Sequence, residues 1–363
     1  MFLALREFKH AKVRYLLISL IMILIAWLVL FVSGLANGLS SDNASSIKTM
    51  NIDYFVLQKE ADQRINRSVL NNDFAADIRD FTKRHDTESA LLNIHMATLT
   101  KPGTPKKIDA AYFGIEESGL LQPEITEGKM FTNESVDEIV VDQSIKNEGF
   151  SLGDRIIDET SGKKLKIIGF TKNQSFSHSP VIHMNMKTLL SVKNENTIHA
   201  IALKGDKNTG KQVEKNFSGI EAVSKSQALK GIPGYQEEQG SLLMMIVFLF
   251  VIAAFVLAVF FYVITIQKIN QFGVLKAIGA KTGYLAKNII FQVMFLSSVS
   301  LLISIALTFT ASFVLPDHFP FDLSPFLIVI CSLLFLTVAL LGSFLSLFKV
   351  AKVDAIDAIG RAV

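Results

Sequence analysis

The chain has 363 residues, 50% of them hydrophobic, a mean hydropathy of +0.39 and only 19% charged residues, against about 25% in ordinary soluble domains. A net charge of +3 gives no basis for a nucleic-acid partner. With a single cysteine, Cys331, no intrachain disulfide can form, so every domain must fold on its core alone.

The first apolar block, Tyr15 to Ser33, carries no charge. As a helix it reaches roughly 29 Å at about 1.5 Å per residue, enough for a hydrocarbon layer of about 30 Å. It is long for the core of a signal peptide, and Gly34-Leu35-Ala36-Asn37 is a poor cleavage site, so a retained span is expected. The next segment, 34–240, reads as a folded α+β domain. Asp53–Leu57, Glu138–Val141, Lys164–Phe170, Val181–Met184 and Thr197–Leu203 have strand character. Ser161-Gly162 marks a hairpin turn before Lys164. Ser68–Arg84 reads as a helix with Val69, Leu70, Phe74, Ile78 and Phe81 on its apolar side. Lys101–Pro105 reads as a loop.

Three more blocks follow: Leu242–Ile266, Leu285–Leu315 and Phe326–Phe348. The fold class expected is therefore an α-helical membrane protein with four transmembrane helices and a large extracytoplasmic α+β domain between helices 1 and 2. The boundaries expected are spans at 15–33, 241–266, 285–315 and 326–348. The 34–240 domain, a loop at 267–284 and a short loop at 316–325 lie between them, with flanking segments 1–14 and 349–363. Lys and Arg set the orientation. Arg6, Lys9, Lys12 and Arg14 precede the first span, Lys268, Lys276 and Lys281 lie in the 267–284 loop, and Lys349, Lys352 and Arg361 follow the last. The 316–325 loop has only Asp317 and Asp322. Both termini and the 267–284 loop are placed in the cytoplasm, in a cell-membrane protein surrounded by lipid.

Catalytic chemistry is hard to find. Gly205-Asp206-Lys207-Asn208-Thr209-Gly210-Lys211 has phosphate-loop spacing, but Gln212 stands where a magnesium-holding hydroxyl belongs, and the segment is on the side without ATP. It reads as a polar surface loop. His178, His183, Met184 and Met186 cluster in sequence, but strand alternation splits them between faces. No enzyme activity, metal site or intrinsic cofactor is expected.

The 267–284 loop is more specific. Phe272, Leu275 and Ile278 recur every three residues, Val274 and Ile278 are four apart, and Lys268 and Lys276 lie off that row. This is a short amphipathic helix closed by Gly279. Its spacing fits equally a helix on the lipid surface and one seated in a groove of a cytoplasmic partner.

The run Phe272-Gly-Val-Leu-Lys-Ala-Ile-Gly-Ala280 resembles the coupling segment of the FtsX/MacB-type ABC permeases, with Gln271 where that family usually has an acid. The tail Lys352-Val-Asp-Ala-Ile-Asp-Ala-Ile359 resembles the family's closing motif, with Ala355 where a proline is common. The four-span plan agrees. The resemblance implies a permease subunit driven by a separate ABC ATPase that carries the ATP and Mg, with Phe272, Val274, Leu275, Lys276, Ile278 and Gly279 as the coupling surface. Tyr235–Met245, Phe261–Lys268, Arg14–Ser19 and Phe31–Leu39 further resemble the haem-efflux branch of that family. That implies a homodimer of this chain bound to two ATPase copies, with haem entering from the membrane and leaving outward by mechanotransmission of the type VII kind. Haem needs apolar walls, an iron ligand and a polar edge. Tyr235, Glu237, Glu238, Met244 and Met245 lie together at the outer end of span two, and Phe31 near that of span one; tyrosine and methionine are haem-ligand types. The other functions compatible with the sequence are export of a lipopeptide, peptide or drug, and a transducer that moves nothing and regulates a cell-wall hydrolase. A membrane-anchored enzyme would need a catalytic constellation.

Overall fold

The structure is a computed structural model and describes residues 12–193, 197–316 and 319–351. The tail motif at 352–359, Asp317, and the basic residues Arg6, Lys9 and Arg361 lie outside the described residues. The chain forms two compact units, Met1–Gly38 with Ser241–Val363, and Leu39–Gly240. The domain boundaries expected were 34 and 240.

The first helix, α1, spans Lys12–Thr49 and so continues well beyond the apolar block that ends at Ser33. Its last stretch, Ser40-Ser-Asp-Asn-Ala-Ser-Ser46, is polar and belongs to the mixed unit. Helicity breaks once, at Ala44 (φ −149°, ψ 19°).

The mixed unit contains strands β1 (Tyr54–Gln58), β2 (Glu88–Thr100), β3 (Lys107–Gly114), β4 (Ile125–Gly128), β5 (Glu138–Asp142), β6 (Arg155–Asp158), β7 (Lys164–Thr171), β8 (Ser175–Phe176), β9 (Ser179–Met184), β10 (Ala200–Lys204) and β11 (Ile220–Ser224). Helices α2 (Asn72–Arg84), α3 (Ser144–Asn147), α4 (Met186–Lys193), α5 (Lys207–Asn216) and α6 (Lys225–Lys230) connect them. The strand order is β11-β1-β10-β2-β3-β9-β5-β7-β4, and β6 pairs with both β2 and β7. That second pairing closes β2, β3, β9, β5, β7 and β6 into a ring, which removes exposed edges.

The long strand β2 belongs to both halves. Its Glu88–Leu92 end pairs with β10, and its Asn93–Thr100 end with β3. Alternation then sorts the side chains. Tyr112, Ile139, Ile167 and Ile182 share one buried cluster, while Ala111, Phe113, Val140 and Val181 belong to another. Each large apolar side chain so buried stabilises by roughly 1.5–3 kcal/mol. The Tyr112 hydroxyl donates to Asp158 Oδ1 (2.9 Å), and burial, then the adjacent carboxylate, raises its pKa. Asp158 Oδ2 accepts from Ser161 N (2.7 Å), fixing the turn before β7.

Helix α2 starts at Asn72 rather than at the expected Ser68. Asn71 caps it by accepting from Asp73 N, and Leu70 is drawn into a bridge with Ile198. The phosphate-loop-like run is a helix start: Asp206 caps α5 through Asn208 N and Thr209 N, and those hydrogen bonds, Thr209's first, lower its pKa.

His183 is 1% exposed, edge-to-face with Phe113 at 5.8 Å, and its Nδ1 has no partner among the described residues. Burial lowers its pKa to about 3 from an ordinary 6.5. The folded state therefore holds it neutral. Its contribution is intact above about pH 6.5 and is lost as pH falls toward about 3. At about 1.4 kcal/mol per pKa unit the loss is a few kcal/mol. Thermal unfolding of His183→Phe across this window should show a clearly flatter acid limb than the wild type.

In the helical unit α1 is joined by α7 (Tyr235–Gln267), α8 (Ile269–Ala277), α9 (Thr282–Val314) and α10 (Pro325–Ala351). Helices α1, α7, α9 and α10 are each long and apolar enough to cross a membrane. Met22, Leu30, Leu257, Phe261, Val293 and Phe335 form part of their common core. Six polar residues of α9, Asn288, Gln292, Ser297, Ser300, Ser304 and Thr308, are buried. Ser304 Oγ donates to Ile23 O (2.8 Å), as intramembrane polar groups do when they face neighbouring helices.

Candidate functional site

The break in α1 makes a docking point. The Asn43 carbonyl accepts from Ser177 N (2.8 Å). Ser175 N donates to Ser45 Oγ (2.9 Å), and Ser46 Oγ donates to the Ser175 carbonyl (2.8 Å). The β8–β9 hairpin is thereby fastened to the end of α1. Its loop is the two residues Ser177 and His178, with φ of 51° and 60°. Positive φ at both centres is the geometry that normally selects Asn-Gly. Two residues with Cβ atoms hold it here, at roughly 1–2 kcal/mol each.

That turn aims the His178 ring at two carboxylates. Its Nδ1 is 3.4 Å from Asp42 Oδ2 on α1, and its Nε2 is 3.3 Å from Glu238 Oε2 on α7. Asn43 Nδ2 donates to the same Glu238 oxygen at 2.7 Å. Asn43 is 1% exposed, and its Oδ1 has no partner among the described residues. Glu238 is held near the surface, its side chain 21% exposed.

Tyr235 opens α7 three residues earlier. It packs against the mixed unit's core, with Lys48 Nζ 5.3 Å from its ring centroid. Lys48 also donates to the Ser40 carbonyl and hydroxyl at 2.9 and 2.6 Å. Glu237, beside them in the chain, is exposed. The expected candidates thus divide. Tyr235, Glu237 and Glu238 lie in the mixed unit, whereas Phe31, Met244 and Met245 lie in the helical unit. Met244 and Met245 are 59% and 42% exposed on α7. Phe31 stands between Trp27 (5.9 Å) and Phe321 (5.3 Å), inside an aromatic row of its own chain. His178, Asp42 and Asn43 join the site without having been expected there. The only signal for them was a histidine at a polar turn and a polar end to an apolar helix.

The segment expected to couple has sharper geometry. Helix α8 ends in a left-handed Gly279 (φ 97°), with Gly279 N bonded to the Lys276 carbonyl and Ala280 N to the Leu275 carbonyl. This paired pattern ends a helix at glycine. Phe272 is 1% exposed within the helical core, and Leu275 packs against that core. Val274 and Ile278 are 49% and 76% exposed, and Lys276 is half-buried. The expected row Phe272–Leu275–Ile278 is therefore not one outward face: Phe272 faces in, and the outward pair is Val274 and Ile278. Lys268, expected on the polar side, is buried, donating to Tyr15 Oη (2.7 Å) and Gln292 Oε1 (3.1 Å).

The FtsX-like permease C-terminal family model matches residues 243–355, which contain α8 and its flanking spans. Over 99% of both chains the protein is 32% identical to the "Putative hemin transport system permease protein HrtB" of Staphylococcus haemolyticus strain JCSC1435. It is 31% identical, again over 99% of both, to the protein of that name in Staphylococcus epidermidis strain ATCC 12228. Among solved structures, the periplasmic region of MacB from Actinobacillus actinomycetemcomitans is similar at a TM-score of 0.39 and 14% identity, covering 51% of this chain and 95% of that one. With end-to-end similarity to these permeases and a matching C-terminal segment, the chain belongs to the FtsX-like family of ABC-transporter permeases.

Proposed function

We propose that the protein is the permease subunit of an exporter that clears haem from the membrane, powered by a separate cytoplasmic ATPase. The observation that carries this is full-length similarity to relatives named as hemin transport permeases. The Tyr235–Glu238 cluster supports it chemically, with a phenol of a known iron-ligand type, an anchored carboxylate, and a lysine over the phenol ring for a propionate edge.

In this reading the termini and α8 are cytoplasmic and the Leu39–Gly240 unit is outside. Two copies of the chain pair with two ATPase subunits, which hold the ATP and Mg. The ATPase grips Val274 and Ile278, and Phe272 carries the motion of α8 into the helical core. Transport requires that the two conformations differ in haem affinity, since only a differential interaction can shift the equilibrium.

Hemin titration of the purified full-length chain, followed at the Soret band, tests this reading. A saturable, near-stoichiometric shift is expected, with affinity at least about tenfold weaker (about 1.4 kcal/mol) in Tyr235→Ala and Glu238→Ala. Glu237→Ala and Met244→Ala complete the set. A saturable shift equal in all four keeps haem and removes the site, and no saturable shift in the wild type overturns haem as cargo.

A further inference from the structure

The contact of His178 with two carboxylates on two different helices is not required by the fold around it. The β8–β9 loop would form at lower cost with glycine, because both of its central residues have positive φ. A local rule broken at this one turn points to a side chain with a role beyond the turn itself. From the hairpin the ring reaches both α1 and the start of α7, through Asp42 and Glu238.

We propose that His178 is a proton-dependent positioning residue for Glu238. A protonated imidazole has two N–H donors and can hold Asp42 and Glu238 at once, whereas a neutral ring has one donor and can hold only one of them. Both described contacts to the Glu238 carboxylate fall on Oε2, from Asn43 and from His178, which leaves Oε1 without a described contact. The charged groups facing the ring are Asp42 from α1 and Glu238 from α7; Lys48, farther along α1, is directed to Ser40 and the Tyr235 ring. In the protonated state the end of α1, the hairpin and the start of α7 are pinned together, and Glu238 presents a fixed carboxylate. In the neutral state one link opens. The ligand consequence rests on the haem reading above; the pinning itself does not.

Two measurements on the full-length chain test this, at about pH 5.5 and about pH 8, on either side of the imidazole range. The first needs no ligand: a thermal-unfolding cycle of His178→Gly, Glu238→Gln and the double variant. Glycine suits the left-handed backbone, so the turn persists without the ring. The Tm losses should be clearly more non-additive at about pH 5.5 than at about pH 8. Other acid-titrating groups, His183 included, cancel in the cycle. Additivity at both values overturns the pinning, and equal non-additivity at both overturns its proton dependence. The second is hemin titration of wild type, His178→Gly and His178→Asn. Wild type should bind severalfold tighter than either variant at about pH 5.5 and nearly alike at about pH 8. A constant ratio across pH overturns the positioning role while leaving haem as cargo. Should wild type show no saturable hemin shift, the haem reading falls and the cycle still decides on the pinning.

Discussion

Ile278→Asp is expected to abolish export and to release the ATPase on co-purification, while the chain itself inserts and folds normally. Ile278 is 76% exposed at the end of α8, beyond the last residue whose side chain enters the helical core. A substitution at so open a position costs the permease within about 0.5 kcal/mol. Seated in an apolar groove of a partner, the same carboxylate would have to be desolvated without a counter-charge, at several kcal/mol, and each 1.4 kcal/mol is about tenfold in affinity. Val274→Asp should act the same way, since it is four residues earlier and also exposed. Phe272→Ala is the contrast. It empties a buried site in the helical core, costs about 3–5 kcal/mol of stability, and should lower Tm and yield before any assembly defect can be measured. Normal assembly and export by Ile278→Asp would remove α8 as the contact with the ATPase.

The contrast also shows which features could be read from the sequence. Residues three apart on an α-helix advance by about 300° each time, so Phe272, Leu275 and Ile278 fan across about a third of the circumference. Val274 and Ile278, four apart, differ by about 40° and share a face. The helix and its glycine stop were legible; the side that faces outward depends on what the bundle covers. The four spans were legible for a different reason, because a long uncharged apolar run has few other places to go. Their ends were not. Polar Ser40–Ser46 remains with α1 because its side chains and carbonyls find partners on the β8–β9 hairpin, far away in the chain. Strands β2 and β3 escaped notice because Ala90-Leu-Leu-Asn-Ile-His-Met-Ala97 and Ala110-Ala111 carry helix-favouring residues. Their strand state comes from ladder partners on both sides. The site divides the same way. Tyr235, Glu237 and Glu238 were visible as neighbours in sequence, but His178 reaches Glu238 only through a turn whose backbone no local rule favours.

Gly34 and Gly38 carry the other large expected effect. Small residues four apart in an apolar helix ordinarily mark a helix–helix contact. Here they face the segment that leads into α10. A Cβ on Gly38 would be 2.2 Å from the Pro320 carbonyl oxygen and 2.6 Å from Phe321 N, whereas one on Gly34 would meet the Phe321 ring at 2.7 Å. The same segment is tied down by Asp322 N to the Gly34 carbonyl (3.1 Å) and by Asn37 Nδ2 to the Asp322 carboxylate (2.9 Å). A ring can turn aside, but a backbone held by those hydrogen bonds cannot. Gly→Ala inside a helix normally stabilises by about 1 kcal/mol. Gly38→Ala should do the reverse, since overpacking against fixed atoms costs about 1–3 kcal/mol and moving the segment also gives up the Asn37–Asp322 bonds. Thermal unfolding of the purified chain should therefore place Gly38→Ala clearly below wild type, with Gly34→Ala between the two. Protease sensitivity at 319–324 should rise in Gly38→Ala first. If the alanine at 38 raised Tm as the helix propensity alone dictates, the close seating of this segment against α1 would be wrong.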